Sequence, residues 1–309
     1  MINAPNFSFA DWSTHHLSAV EQALGNWVAN PLTSPGPAGL GEVMRYAVLV
    51  GGKRLRPLLV LAACQAVDGK PDAALRAACA VELIHAYSLV HDDMPCMDND
   101  LLRRGKPTVH VKYGQAQALL AGDALQALAF EILTAEGALI DVALQAKLCR
   151  TLAQAAGFQG MAGGQAIDLA SVGMPLDSGQ LHEMHRLKTG ALLQASVLMG
   201  ASCGNASLQV MKALGDYGAC TGLAFQVVDD VLDVTGNSAT LGKTAGKDAA
   251  QAKPTFVSIM GLAGSQAYAQ QLHDQALTSL DTLEEVQASS KHATSALRAL
   301  ADMLINRQH

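Results

Sequence analysis

The chain has 309 residues, half of them hydrophobic, 16% charged and 4% aromatic, with 21 Lys and Arg against 27 Asp and Glu for a net charge of −6. That apolar share fills a large core and excludes a disordered chain or a low-complexity scaffold. The acidic balance excludes a broad nucleic-acid-binding surface, and 6 cysteines with no C-x-x-C pair exclude a disulfide framework. Along the chain Ala, Leu, Gln and Met dominate, and no stretch alternates β-branched residues with period two, so local preference is helical nearly everywhere. Met1 to Trp12 carries no basic residue and no continuous apolar core. No signal peptide is expected there, and reduced thiols in a cytoplasmic protein are expected throughout.

Breakers cut the chain into pieces of helical length. Pro31 to Gly39 separates a first amphipathic helix from a second, Gly51-Gly52 ends the second, and Pro57 suits the first turn of the next. From Ala73 to Val90 the charged residues are Arg76 and Glu82, with His85 titratable, so this helix is apolar almost all round and belongs at the centre. It runs into His91, Asp92 and Asp93. Loops are expected over Asp98 to Gly114, Ser171 to Gly179 and Gly236 to Lys253. The charge-free stretch Thr189 to Met211 holds Gln194, Ser196, Ser202, Asn205, Ser207 and Gln209, which reads as a buried soluble helix; no membrane span is expected. Tyr217 to Val228 repeats the earlier design, uncharged and ending in Asp229-Asp230 with Asp233 after it. With no solenoid repeat and no long polar linker, the chain reads as one all-α domain over 1–309.

Two apolar helices therefore each deliver carboxylates to one end of the core. Burying unpaired carboxylates together is costly, so such clusters sit at a surface, pair with cations or bind metal. An acidic run at a helix C-terminus opposes the helix dipole, so stability does not explain it. Asp229 and Asp233 stand four apart on one helical face, and all-oxygen ligands favour a hard cation such as Mg2+. In the first cluster Asp98 lies six residues after Asp92 and would point away on a continuous helix; Pro95 makes a change of course there plausible. Cations are interleaved with the acids. Gly51-Gly52-Lys53-Arg54-Leu55-Arg56-Pro57 places three beside a flexible turn, suited to a diphosphate. Arg103 and Arg104 follow the first cluster, and Lys188, Lys243, Lys247 and Lys253 flank the second.

In these pieces the sequence resembles the trans-isoprenyl diphosphate synthases, and among them the bacterial farnesyl-forming type. The pieces are GGKRLRP (51–57), IHAYSLVHDDMPCMDNDLLRRGKPT (84–108), GGQAIDL (163–169), HRLKTGAL (185–192), FQVVDDVLDVTG (225–236) and LGKTAGKD (241–248), in the family's order. The resemblance implies an isoprenoid synthase fold, an all-α bundle of about ten or more helices around a deep central cavity, usually as a homodimer. It implies Lys53, Arg56, His85 and Arg104 as ligands of isopentenyl diphosphate. Asp92, Asp98 and Asp229 resemble the Mg2+ ligands, with Asp93 and Asp233 as supporting carboxylates, Asp230 in the catalytic set beside them, and about three ions per site, Mn2+ being a substitute. Arg103, Lys188, Lys243 and Lys253 resemble contacts to the allylic diphosphate, although Pro254 stands where the family has Ser or Thr after the lysine. Thr189 and Gln226 resemble the groups facing the developing carbocation.

The implied chemistry needs no protein nucleophile, and no Ser-His-Asp or Cys-His pattern is recognisable. Charge on the leaving diphosphate is stabilised by Mg2+, Lys and Arg, and apolar walls keep water from the cation. Other readings explain less. An HD-type metal phosphohydrolase would use His91-Asp92 and leave the second cluster unexplained. Glu82 and His85 have the Glu-x-x-His spacing of di-iron bundles, but a second copy is missing. His182 and His185 read as a helix-surface pair. A non-catalytic prenyl synthase subunit would be expected to lack aspartates that are all present here. Within the family, a geranylgeranyl or longer-chain enzyme is the alternative. Ser88 lies one turn below Asp92 on the same face, and Tyr87 lies about 7.5 Å along the axis. A prenyl tail running down this helix meets small Ser88 and then bulky Tyr87, the expected floor for a C15 product.

Overall fold

Helices form where the breakers leave room, and caps mark their ends. In the computed structural model the described residues are 7–29, 36–134, 136–137, 140–174, 176–236, 254–287 and 293–307. Helix α1 (Phe9–Trp27) starts on Ser8, whose hydroxyl accepts from the Asp11 N–H. After α2 (Leu40–Leu49) come α3 (Leu55–Ala66), with Pro57 in its first turn, and α4 (Pro71–Asp92). Then follow α5 (Val109–Tyr113), α6 (Gln115–Leu133), α7 (Val142–Ala156), α8 (Met161–Ala170) and α9 (Ser178–His185). A π-helical turn, Arg186–Gly190, leads into α10 (Ala191–Ser202). The chain continues through α11 (Leu208–Thr235), α12 (Phe256–Gln287, kinked at Gly261) and α13 (Ser295–Ile305).

The architecture is all-α, as expected. One expected loop contains a small exception. Leu102–Arg103 (β1) and Lys106–Pro107 (β2) pair antiparallel, because Arg104 and Gly105 both take positive φ, 52° and 73°, the conformation of a two-residue hairpin turn.

Alanine sets the position of α4. Ala73, Ala74, Ala77, Ala78 and Ala80 are buried with Val81, Leu83 and Ile84, so α3 and α6 pack closely on its flanks. The apolar core forms two clusters that meet across α3 and α10. Val60, Leu61, Met199 and Leu192 face one, while Leu58, Leu59, Leu193 and Val197 face the other. Helix α11 packs on α10, on α12 and on the π-turn. Thr189 to Met211 is not one helix but α10, a turn and the start of α11. Two other helices, α4 and α6, are long and apolar enough to cross a membrane by length and composition. Helix α4 lies mostly buried at the centre of the bundle, and α6 packs one face on it and leaves the other exposed.

Candidate active site

Helix α4 stops at Asp92, and the chain turns back at once. Met94 N–H bonds the His91 carbonyl, and Asp98 N–H donates to the Asp92 carbonyl at 2.9 Å. Asp98 is thereby returned to Asp92 despite the six-residue spacing. Burial pushes the Asp92 carboxyl up to about 6; Asp98 and Asp93 push it the same way, against Lys188 and Arg103. Asp93 faces inward, 3% exposed, and accepts from Arg103 Nε at 2.9 Å on each oxygen and from Nη2 at 2.5 Å. Arg103, a predicted substrate contact, is thus held beside the cluster by Asp93.

The 51–57 loop sends its three cations to different places. Arg54, at φ 49°, turns inward and donates to Glu21, Glu82 and the Val48 carbonyl at 2.7, 2.6 and 2.7 Å. This ion pair fixes the loop on α4 and occupies Glu82, which removes the di-iron reading. Lys53 is exposed and shares its surroundings with Arg307 and Asp229. Arg56 points into the site with its Nε buried and unpartnered, and burial lowers it to about 10. Gly52, at φ 151°, lets Arg104 lie across the loop and bond the Gly51 carbonyl; a Cβ there would stand 2.7 Å from Arg104 Nη1. His85 is held well below the ordinary imidazole range by burial and then by Arg56, Arg104 and Arg103. A neutral ring among guanidiniums forms a wall that calls for an anion.

Between this wall and α8 lies a cavity of about 380 Å3. Arg56, His85, Ser88, Asp92, Lys188 and Thr189 line it, and Tyr87, Leu89, Met97, Met161 and Leu169 supply apolar surface. Tyr87 does two things there. Its ring meets His91 edge-on at 5.7 Å, and it also faces the cavity. The opposite wall depends on a close approach: a Cβ on Gly164 would fall 2.2 Å from the Lys188 backbone nitrogen. The π-turn fits against α8 there and directs Lys188 to Asp168 at 2.5 Å. Thr189 Oγ1 donates to Gln226 Oε1 at 3.2 Å, and Gln226 Nε2 donates to Asp230 Oδ1 at 2.9 Å.

At the end of α11 the acids separate by role. Asp230, 2% exposed, also accepts the Phe256 N–H at 2.8 Å and so caps α12 from a distance. Asp233 is buried, while Asp229 keeps 35% of its side-chain surface and lies 3.2 Å from Arg307 Nη2. Lys243, Lys247 and Lys253 lie outside the described residues. Among the described residues no three His, Cys, Asp or Glu side chains form a ready-made metal cage. The donors at Asp92 and Asp98 are nonetheless hard oxygens whose mutual repulsion a divalent cation relieves. That fits Mg2+, which keeps waters and takes its remaining oxygens from phosphate.

Residues 37–293 match the family model described as polyprenyl synthetase. The chain belongs to that family. It is 48% identical over 270 residues to the farnesyl diphosphate synthase of Escherichia coli, covering 86% of this chain and 88% of the relative. Over 310 residues it is 43% identical to the large subunit 1 of the heterodimeric geranylgeranyl pyrophosphate synthase of Arabidopsis thaliana, covering 98% and 81%. A crystal structure of Helicobacter pylori geranyltransferase complexed with magnesium and isoprenyl diphosphate superposes with a TM-score of 0.85 at 35% identity, covering 99% of this chain and all of that one.

Within this polyprenyl synthetase, two functional residues carry no local sequence signal, and one histidine, His185, is not where its spacing placed it. Asp168, which holds Lys188, sits inside the quoted GGQAIDL motif, but nothing local in that motif signals a partner across the site. Arg307 has no sequence signal at all, since its contact with Phe225 spans most of the C-terminal third. His185 is not on the surface: it is buried, stacked on Phe256 at 5.3 Å, and lowered to about 3 chiefly by burial. His91 turns its Nε2 to the Leu119 carbonyl at 3.1 Å. It therefore packs on α6 and does not join Asp92 as a metal dyad.

Proposed function

We propose that this enzyme condenses isopentenyl diphosphate with dimethylallyl and then geranyl diphosphate to give trans,trans-farnesyl diphosphate. The observation that carries the reading is the return of Asp98 to Asp92 at the rim of an apolar cavity walled by Arg56, His85 and Lys188. Asp92, Asp98 and Asp229 would hold Mg2+, which when bound would supply Lewis-acid stabilisation of the leaving diphosphate. Arg103 and Lys188, each positioned by a buried carboxylate, place further positive charge on the same group. Lys53, Arg56, neutral His85 and Arg104 hold the diphosphate of isopentenyl diphosphate. Thr189 and Gln226, already bonded to one another, direct oxygen dipoles toward the carbocation. The apolar lining excludes water, and the proton lost after carbon–carbon bond formation passes to the departing diphosphate.

Tyr87 supports a C15 product, because it is bulky, faces the cavity and packs edge-on against His91. The Arabidopsis relative supports a second reading, a geranylgeranyl-forming enzyme. We further infer about three metal ions per site with Mn2+ able to substitute, and action of residues 1–309 as one domain, since α3 and α10 belong to both core clusters. Exposed Val111, Leu119 and Leu120 on α5 and α6 support a homodimer. The six free cysteines support a reducing, cytoplasmic compartment.

The test is incubation with Mg2+, dimethylallyl diphosphate and labelled isopentenyl diphosphate, followed by sizing of the products. C15 is expected, and Tyr87→Ala should extend it to C20 and beyond. A native C20 product favours the second reading, and phosphate release from nucleotides without prenyl transfer overturns both.

A further inference from the structure

The last described residue reaches the second aspartate motif from the other end of the sequence's last third. Arg307 follows α13, donates from Nη2 to the Phe225 carbonyl at 2.6 Å, and lays its guanidinium 4.0 Å from the centre of the Phe225 ring. The same Nη2 stands 3.2 Å from Asp229 Oδ1, and the Arg307 side chain is only 11% exposed. Packing explains part of this, since a guanidinium on an aromatic face with a carbonyl acceptor pins a terminal segment. It does not explain which acid is met. Asp230 is engaged by Gln226 and Phe256, and Asp233 is buried. Asp229 alone of the three faces outward, and Arg307 is placed on it.

We propose that Arg307 is a resident counter-cation of the second aspartate motif, a positioning residue that occupies Asp229 until a divalent cation takes its place. The inference rests on Asp229 being a metal ligand. A carboxylate oxygen serving a guanidinium is less available to an inner-sphere cation, and a divalent ion at Asp229 repels Arg307 in turn. The pair therefore raises the metal concentration needed to load this motif, while keeping Asp229 aimed and compensated in its absence.

The test is a titration of the full chain with Mn2+ alone, with free Mn2+ read by electron paramagnetic resonance, on the native protein and on Arg307→Gln, Arg307→Leu, Arg307→Lys and Asp229→Asn. Circular dichroism checks that each variant is folded. Arg307→Gln keeps a donor for the Phe225 carbonyl and Arg307→Leu keeps the packing, but both lose the charge. Both should bind Mn2+ up to about five-fold more tightly, the range of a partly exposed ion pair. Arg307→Lys should stay near the native value. Native or weaker binding in both uncharged variants, with a site still lost in Asp229→Asn, would leave Arg307 as a tail anchor and overturn the proposal. Unchanged binding in Asp229→Asn would instead overturn the metal assignment on which the proposal rests.

Discussion

At the end of α4, Asp93 is buried against Arg103 while Asp92 and Asp98 face one another across the 93–98 turn. At the end of α11, Asp230 is buried against Gln226 and the Phe256 N–H while Asp229 faces outward to Arg307. Each cluster is arranged the same way, one acid fixing the local geometry and another facing outward. The means differ. The first cluster is built from residues within a short loop, and its outward acids repel each other. The second borrows both its brace and its counter-charge from distant segments, the start of α12 and the end of the chain. An Asp-Asp pair at a helix end is therefore not two equivalent metal ligands.

The strongest way to break this comparison is to remove the outward acids. Asp92→Ala and Asp229→Ala should each lower turnover by about two orders of magnitude or more, the scale of losing charge stabilisation in a transition state, with far-ultraviolet circular dichroism unchanged. Near-native turnover in either variant, or native activity in EDTA, contradicts the assignment.

The pH dependence separates the two clusters next. With the Asp92 carboxyl raised to about 6, its proton competes with the metal below that pH. Half-saturating Mg2+ should then rise up to about ten-fold per unit as pH falls below 6, and Asp92→Asn should flatten that response. In the metal-free protein the sign is reversed. A folded value above the ordinary 3.8 means the native state holds a proton that the unfolded chain has released, so the stability cost of Asp92 builds as pH rises from about 3.8 to about 6 and is fully present above that. Asp92→Asn should raise the metal-free melting temperature at pH 7, and no rise would mean that the carboxyl is better solvated than its surroundings indicate.

A smaller effect sharpens the difference within the second cluster. Asp230→Ala leaves the Phe256 N–H and the Gln226 amide without an acceptor and should cost about 1–3 kcal/mol in urea unfolding. Its turnover should fall less than that of Asp229→Ala; the reverse order would exchange their roles. The smallest effect belongs to Cys96, which is exposed within the first motif. Sulfur is a poor ligand for Mg2+ and the reaction needs no nucleophile, so Cys96→Ser should keep most activity. A folded but inactive Cys96→Ser would mean that the turn itself has a further role.

Periodicity and breakers made much of the fold legible. The apolar runs before Asp92 and Asp229 give α4 and α11 with their acids at one end, and Pro95 correctly marks the reversal that returns Asp98. What stayed hidden depends on contacts between segments far apart in sequence. Nothing local distinguishes Arg54, turned inward to Glu21 and Glu82, from Arg56, left facing the cavity. Nothing local shows that Asp230 caps a helix beginning at Phe256, or that Lys188 needs Asp168. The π-turn at Arg186–Gly190 also escapes a reading by regular helical period, because one turn of wider winding leaves the flanking pattern nearly unchanged.

The most direct measurement is anomalous scattering from Mn2+ in crystals grown with an unreactive allylic thiodiphosphate. The expected result is ions bound to Asp92 and Asp98 on one side of the diphosphate and to Asp229 on the other, with Asp93 and Asp230 still in their buried contacts. Ions on Asp93 or Asp230, or none on Asp229, would contradict it.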